Sequence, residues 1–268
     1  MQVLGIDIGG TGIKGSPVDT KTGKMLGERY RVSTPKPATE AALLEVIQAQ
    51  VEHFKWKGPI GCGFPGVIRR QEIHTAANLD KSLVGINLGK TIERATGCRA
   101  WCLNDADAAG FAEMRFGTGV GASGVTLLIT IGTGLGTALF VDRDLVPNCE
   151  MGHVLMRMKP NKRVADAETL ASDSARRRDE LSWKRWAKRF DHYLHVMHDL
   201  LWPELIILGG GGAEKGDKFL PRLKVPCPVK LARMGNQAGI IGAAVAAAER
   251  IDHRLSSRRG VRHRTKRA

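Results

Sequence analysis

The segment LGIDIGGTGIKG, residues 4 to 15, sets one carboxylate, Asp7, in an apolar run and follows it at once with Gly9, Gly10, Thr11 and Gly12. Val3, Leu4, Ile6 and Ile8 read as a buried strand. The glycines reach backbone conformations closed to other residues, so main-chain N–H groups can approach an anion there. This is the make-up of a phosphate-binding turn. A tight hairpin asks for the same glycines, and IKGSPVD has the pattern of a return strand. A second segment, VTLLITIGTGLGTALFVD, residues 125 to 142, repeats the arrangement with Gly132, Thr133, Gly134 and Gly136 between two strand-like runs. Two such turns, one per half of the chain, could face each other across a cleft.

The elements that must position these turns alternate between strand and helix. Residues 38 to 54, ATEAALLEVIQAQVEHF, space their apolar residues by three and four and predict a helix after Pro35 and Pro37. PIGCGFPGV, residues 59 to 67, is a short strand closed by a Phe64-Pro65-Gly66 turn. In residues 99 to 117 a strand ends at Leu103, polar Asn104 and Asp105 follow, and a helix begins for which Asp107 is the capping acid. Residues 181 to 203 place Trp186, Phe190, Tyr193, Met197 and Leu201 on one helical face, a core stripe. ELIILGGGG, residues 204 to 212, is again a strand running into glycines, and NQAGIIGAAVAAAE, residues 236 to 249, is a small-residue helix suited to close packing. The alternation predicts an α/β protein.

Bulk properties narrow the function classes. The 268 residues are enough for one large domain or two lobes, and no apolar window approaches the roughly 18 residues of a membrane span. No basic stretch followed by a long apolar one marks a secretion signal, so a soluble, cytoplasmic protein without a membrane partner is expected. Five cysteines without C-x-x-C spacing suit reduced thiols better than disulfides or a zinc site. The net charge of +14 favours polyanions, and the excess is concentrated in Arg176 to Arg178, in residues 183 to 190 and in a tail over 253–268 expected to be flexible.

The ordered motifs D-x-G-G-T, G-F-P-G, N-D-A-D, G-T-G-x-G, E-M-G-H and L-G-G-G-G, spread from Val3 to Glu249, resemble those of the ROK family of sugar kinases and regulators, and most closely its polyphosphate-using glucokinases. The resemblance implies an actin-like, ribonuclease H-like fold of two α/β lobes around a cleft. The small lobe is expected over 1–104, completed by the helix at 236–250, and the large lobe over 105–235. Gly9, Gly10, Thr11, Lys14, Thr133 and Gly134 are implied to bind phosphate, with Asp7 near magnesium, directly or through water. Asp105, at a rigid strand end, is the expected general base for a sugar 6-hydroxyl. Gly66, Asn78, Asn104, Asp105, Glu150, His153 and Glu168 are implied to form the sugar site, and Gly209, Gly210 and Gly211 to line adenosine if ATP is used.

Two departures from the family pattern refine this. Residues 156 to 168, MRMKPNKRVADAE, lack the cysteine cluster many members use for zinc, so no zinc site is expected. Gly12 stands where many ROK kinases carry lysine, and Lys14 follows two residues on. The implied activity is transfer of a terminal phosphoryl group from inorganic polyphosphate, and from ATP, to the 6-hydroxyl of glucose or mannose with Mg2+. A bare polyanionic donor must be held mainly by Lys and Arg, which gives the positive charge a purpose. The alternatives are an ATP-only hexose kinase and, less favoured, a sugar-responsive DNA-binding regulator, which needs a helix-turn-helix not seen ahead of Val3. No specific nucleic-acid partner is expected, and the protein is expected to be a monomer or homodimer.

Overall fold

The computed structural model describes residues 1–77, 79–158 and 163–264, with only the backbone at 158, 163 and 252–264. It divides into two compact units, Met1–Ala112 with Gly239–Ala268, and Glu113–Ala238. The first unit holds β1 (Gln2–Ile8), β2 (Gly12–Asp19), β3 (Lys24–Met25), β4 (Tyr30–Ser33), α1 (Glu40–His53), β5 (Ile60–Phe64), β6 (Ile68–Arg69), β7 (Glu72–Ile73), α2 (Leu88–Thr96), β8 (Ala100–Asn104), most of α3 (Asp105–Phe116) and nearly all of α7 (Ala238–Arg264). The second holds β9 (Val125–Ile131), β10 (Leu135–Val141), β11 (Asp144–Val146), β12 (Leu155–Met158), β13 (Arg163–Asp166), α4 (Ala167–Ala171), α5 (Asp173–Arg178), α6 (Trp183–Leu201), β14 (Leu205–Gly209) and β15 (Val229–Leu231).

The main sheet of each unit has the same plan. In the first its order is β3-β2-β1-β5-β8, with β4 also pairing β2; in the second it is β11-β10-β9-β14-β15. Each joins an antiparallel hairpin, β1–β2 or β9–β10, to parallel strands, β5 and β8 or β14 and β15. The expected repeat of strand, glycine turn and strand is thus a repeat of whole sheets.

In the first unit Leu4, Ile6 and Ile8 pack with Leu43 and Ile47 of α1 and Leu88 and Ile92 of α2. On the opposite face β1 and β5 carry Gly5 and Gly61, where a Cβ would run into the backbone of α7 at Ile240 and Ala243. The small residues of that helix therefore let it lie directly on the sheet, so that the carboxylate of Asp7 lies 2.8 Å from where a Cβ on Gly239 would be. In the second unit the aromatic stripe of α6 is core, with Trp186, Phe190, Tyr193 and Met197 fully buried and Leu201 packed beside them. Among the described residues no helix is long and apolar enough to cross a membrane.

Three local expectations change. The unit boundary lies within α3, between Ala112 and Glu113, instead of ahead of Asp105. The cause is packing, since Ala108 of α3 clusters with Leu103 and with Ala243 and Ala246 of α7. The final helix does not stop near Glu249 but continues through residues expected to be a flexible tail, to Arg264. Nor does Asp107 cap α3: the side chain of Asn104 accepts from the N–H groups of Ala106 at 2.8 Å and Asp107 at 3.1 Å, and Asp107 is the buried acid of the first turn.

Candidate active site

In the first unit the glycine turn closes through the Gly9 N–H, which donates to the Gly12 carbonyl at 3.1 Å. Thr34 braces it by donating its hydroxyl to the Gly9 carbonyl at 2.5 Å, and the Arg31 guanidinium donates to the Thr11 carbonyl at 3.2 Å. Thr11 is exposed at the tip. Asp7 is the register partner of Lys14 across the hairpin, and their charged groups approach to 3.5 Å. The Asp7 carboxylate is only 18% exposed. Burial pushes its pKa above the ordinary carboxylate value, while the charge and hydrogen bond of Lys14, then the charge of Arg29, pull the other way.

Asp105 opens α3 at the end of β8, and its carboxylate accepts from the Ala106 N–H at 2.8 Å. Its Cα is 3.7 Å from where a Cβ on Gly63 would lie, and Gly63 pairs with Asp7 between β5 and β1. The structure thus places Asp105, at the start of α3, on one side of Gly63 of β5 and Asp7 of β1 on the other. Asn104, 6% exposed, donates its amide to the Gly66 carbonyl at 3.2 Å while capping α3. Its side chain ties the Phe64-Pro65-Gly66 turn to the helix that carries Asp105. Gly66 itself is buried, with no room for a Cβ beside the Thr75 carbonyl. Asn78 lies outside the described residues.

In the second unit the predicted residues gather at the tip of the β9–β10 hairpin. The Gly132 N–H donates to the Gly134 carbonyl at 3.0 Å, and Thr133 is exposed between them. A Cβ on Gly134 would collide with the Glu168 carboxylate, which accepts from the Leu135 N–H at 3.1 Å. Glu168 therefore buttresses the turn as well as offering an acid beside it. The turn after β14 joins this cluster: Gly210 has φ +77°, and a Cβ there would lie 2.6 Å from the Ile131 carbonyl oxygen. Gly209 is buried and Gly211 is exposed.

The segment carrying Glu150 and His153 is seated on β10. Gly152 packs against the Leu135 carbonyl with no space for a side chain, the Thr137 hydroxyl donates to the Cys149 carbonyl, and the Met151 N–H donates to that hydroxyl at 3.0 Å. His153 Nδ1 lies 2.7 Å from Asp166, which also accepts from the Glu168 N–H at 2.9 Å. That hydrogen bond raises the His153 pKa, opposed by partial desolvation and reinforced by the charges of Asp166, Glu168 and Glu150. The Glu150 carboxyl is likewise raised, first by desolvation, with His153 pulling it down and Glu168 pushing it up. Glu150, His153 and Glu168 therefore form one interacting set with exposed or half-exposed heads, suited to vicinal hydroxyls. Asp166 and Thr137 were not foreseen. The D-A-E spacing in residues 166 to 168 is a signal for Asp166 only once the β12–β13 hairpin sets Asp166 opposite Leu155, two residues after His153.

The ROK family model matches residues 3–179. The polyphosphate glucokinase of Mycobacterium tuberculosis strain CDC 1551 / Oshkosh is 41% identical over 251 residues, covering 93% of this chain and 92% of that protein. The crystal structure of the inorganic polyphosphate/ATP-glucomannokinase of Arthrobacter sp. strain KM shares 42% identity at a TM-score of 0.85, covering 93% of this chain and 99% of that one. A ROK family glucokinase from Streptomyces griseus, solved with glucose and AMPPNP, shares the fold at 23% identity and a TM-score of 0.77, over 93% of this chain and 100% of that one. The duplicated sheets are accordingly the actin-like, two-lobed architecture of the ROK sugar kinases.

Proposed function

The chain belongs to the ROK family, and from that premise we infer that it is a phosphotransferase that moves the terminal phosphoryl group of inorganic polyphosphate to the 6-hydroxyl of glucose. The observation that carries this reading is the pairing of Asp7 with Lys14 beside the first glycine turn, with Asp105 beyond the intervening strand β5, next to Gly63. Phosphoryl transfer is mostly positioning and electrostatics, and these residues supply both. Asp105 takes the hydroxyl proton of the sugar. Backbone N–H groups of Gly10 and Thr11 and of Thr133 and Gly134 cradle phosphate oxygens, the Gly9 N–H being spent in closing its turn, and Lys14 neutralises charge close to Asp7. Glu150, His153 and Glu168 bind the sugar hydroxyls, with Asp166 orienting His153 through Nδ1 and leaving Nε2 for the ligand.

Magnesium fits the acids present. Asp7 offers hard oxygen ligands, burial disfavours its charged form and a bound cation would favour it, and Mg2+ commonly takes one or two carboxylates plus substrate phosphates. When bound, the ion neutralises charge on the transferred group. ATP is proposed as a second donor because the Gly209–Gly211 turn adjoins the β9–β10 tip within one unit, and mannose as a second acceptor on the likeness to the glucomannokinase. The test supplies purified protein, magnesium and glucose with polyphosphate or ATP in turn and measures glucose 6-phosphate. Product from both donors is expected, and product from ATP alone would replace this reading with an ATP-only hexose kinase.

A further inference from the structure

Arg31 takes no part in the roles above, yet three features of the first unit converge on it. Register is one. Arg31 of β4 pairs with Lys14 of β2, Lys14 pairs with Asp7 of β1, and Asp7 pairs with Gly63 of β5, next to Asp105. Residues paired across a sheet project from one face, so Arg31, Lys14 and Asp7 form a row of charge leading toward the base. Space is another. A Cβ on Gly12 would lie 2.7 Å from Arg31 Nε and 2.8 Å from Nη2, and Gly12 is not among the glycines with positive φ. A side chain at position 12 would therefore push the guanidinium from its place, and nothing in the backbone there calls for glycine.

The third feature is how the charges are engaged. Lys14 is only 27% exposed and lies against Asp7, whereas Arg31 is exposed and held by the Thr11 carbonyl at 3.2 Å. One N–H of the fork fixes it to the turn, and the others remain for an anion whose planar pairs of oxygens match it.

We infer that Arg31 is a ligand for donor phosphate at the first glycine turn, gripping a phosphoryl group beside the one transferred. The inference rests on the donor reading proposed above, and binding measurements separate the two. Inorganic tripolyphosphate is the probe, titrated calorimetrically with magnesium into the whole protein, with glucose titrated separately and melting temperature recorded for every variant. Arg31→Gln should weaken tripolyphosphate about tenfold to a hundredfold and raise the donor KM in step, with glucose affinity unchanged to within about twofold. Arg31→Lys should recover part of the loss, which a purely structural role would not predict. Gly12→Ala, which displaces the guanidinium, should copy the Arg31→Gln defect and add little to it in the double variant. Wild-type tripolyphosphate affinity in Arg31→Gln, or an equal loss of glucose affinity, would overturn the assignment. Tripolyphosphate held through Arg31 without transfer of phosphate to glucose would contradict the proposed function and leave this site standing.

Discussion

The two glycine turns share a backbone and differ in the charges beside them. Each caps an antiparallel hairpin whose first strand runs parallel to the next strand of its sheet. Below the first turn the paired residues are Asp7 and Lys14; at the corresponding step below the second they are Thr130 and Gly136. The first turn is held by a threonine and an arginine, the second by the carboxylate of Glu168. A duplicated scaffold therefore offers two places where backbone N–H groups meet an anion, and side chains divide the work. On the proposed function, the first unit carries the acid, base and cations of phosphoryl transfer. On the same reading the second carries the acids and histidine proposed for sugar recognition, with Glu168 in contact with its own turn.

The largest expected effect tests the first half of that division. Asp105→Asn should lower turnover by roughly two to four orders of magnitude, in steady-state assays with either donor, because the base is lost while the fold of α3 is kept. Turnover near that of the wild type would remove Asp105 from the chemistry.

Asp7→Asn should lower turnover about a hundredfold without loss of stability. The sign follows from linkage. A carboxyl whose folded pKa is raised binds its proton more tightly in the folded state, so its cost appears as pH climbs from the ordinary value of 3.8 and through the raised value. Removing the charge should leave the melting temperature at neutral pH equal or higher. A clear drop would mean that Asp7 serves the fold before the reaction.

A smaller effect probes the second turn. Gly134→Ala drives a Cβ into Glu168 and should raise both donor and glucose KM about tenfold, since one side chain serves the turn and the sugar site. Gly132→Ala meets nothing within 4 Å and should change either by less than about twofold. Equal effects at the two positions would dissolve the claimed contact between turn and sugar acid.

The smallest effect is a shift in pH. Because the Asp166 carboxylate raises the His153 pKa, Asp166→Asn should move the inflection of glucose affinity to lower pH, and an unmoved inflection would deny His153 its role.

What the sequence reveals and what it hides divide along chain distance. Strands and glycine turns are local, and they were legible because apolar alternation follows directly from backbone geometry, whereas the E-x-G-H and N-D pairs were singled out by resemblance to the family's motifs. The buried stripe of α6 was legible for the same reason. Arg31, Thr34, Thr137 and Asp166 were not, because each reaches its partner through strand pairing or chain reversal, and nothing local to YRVST or GTALF announces it. Asn104 and Asp107 show a subtler limit. Both residue types suit a helix start, and the choice between them depends on where the strand before the helix ends, one residue later than expected. The extent of α7 was missed because a basic composition argues for a solvated tail while remaining compatible with helix.

The most direct test of the division between units is to measure glucose affinity and single-turnover rate, at saturating glucose and donor, on the same preparations of Asp105→Asn and Glu150→Gln. Asp105→Asn should bind glucose close to the wild-type affinity and transfer phosphate far more slowly. Glu150→Gln should bind glucose about tenfold more weakly or worse and keep most of its rate once saturated. Both variants losing the same quantity, whether affinity or rate, would contradict the assignment of chemistry to one turn and recognition to the other.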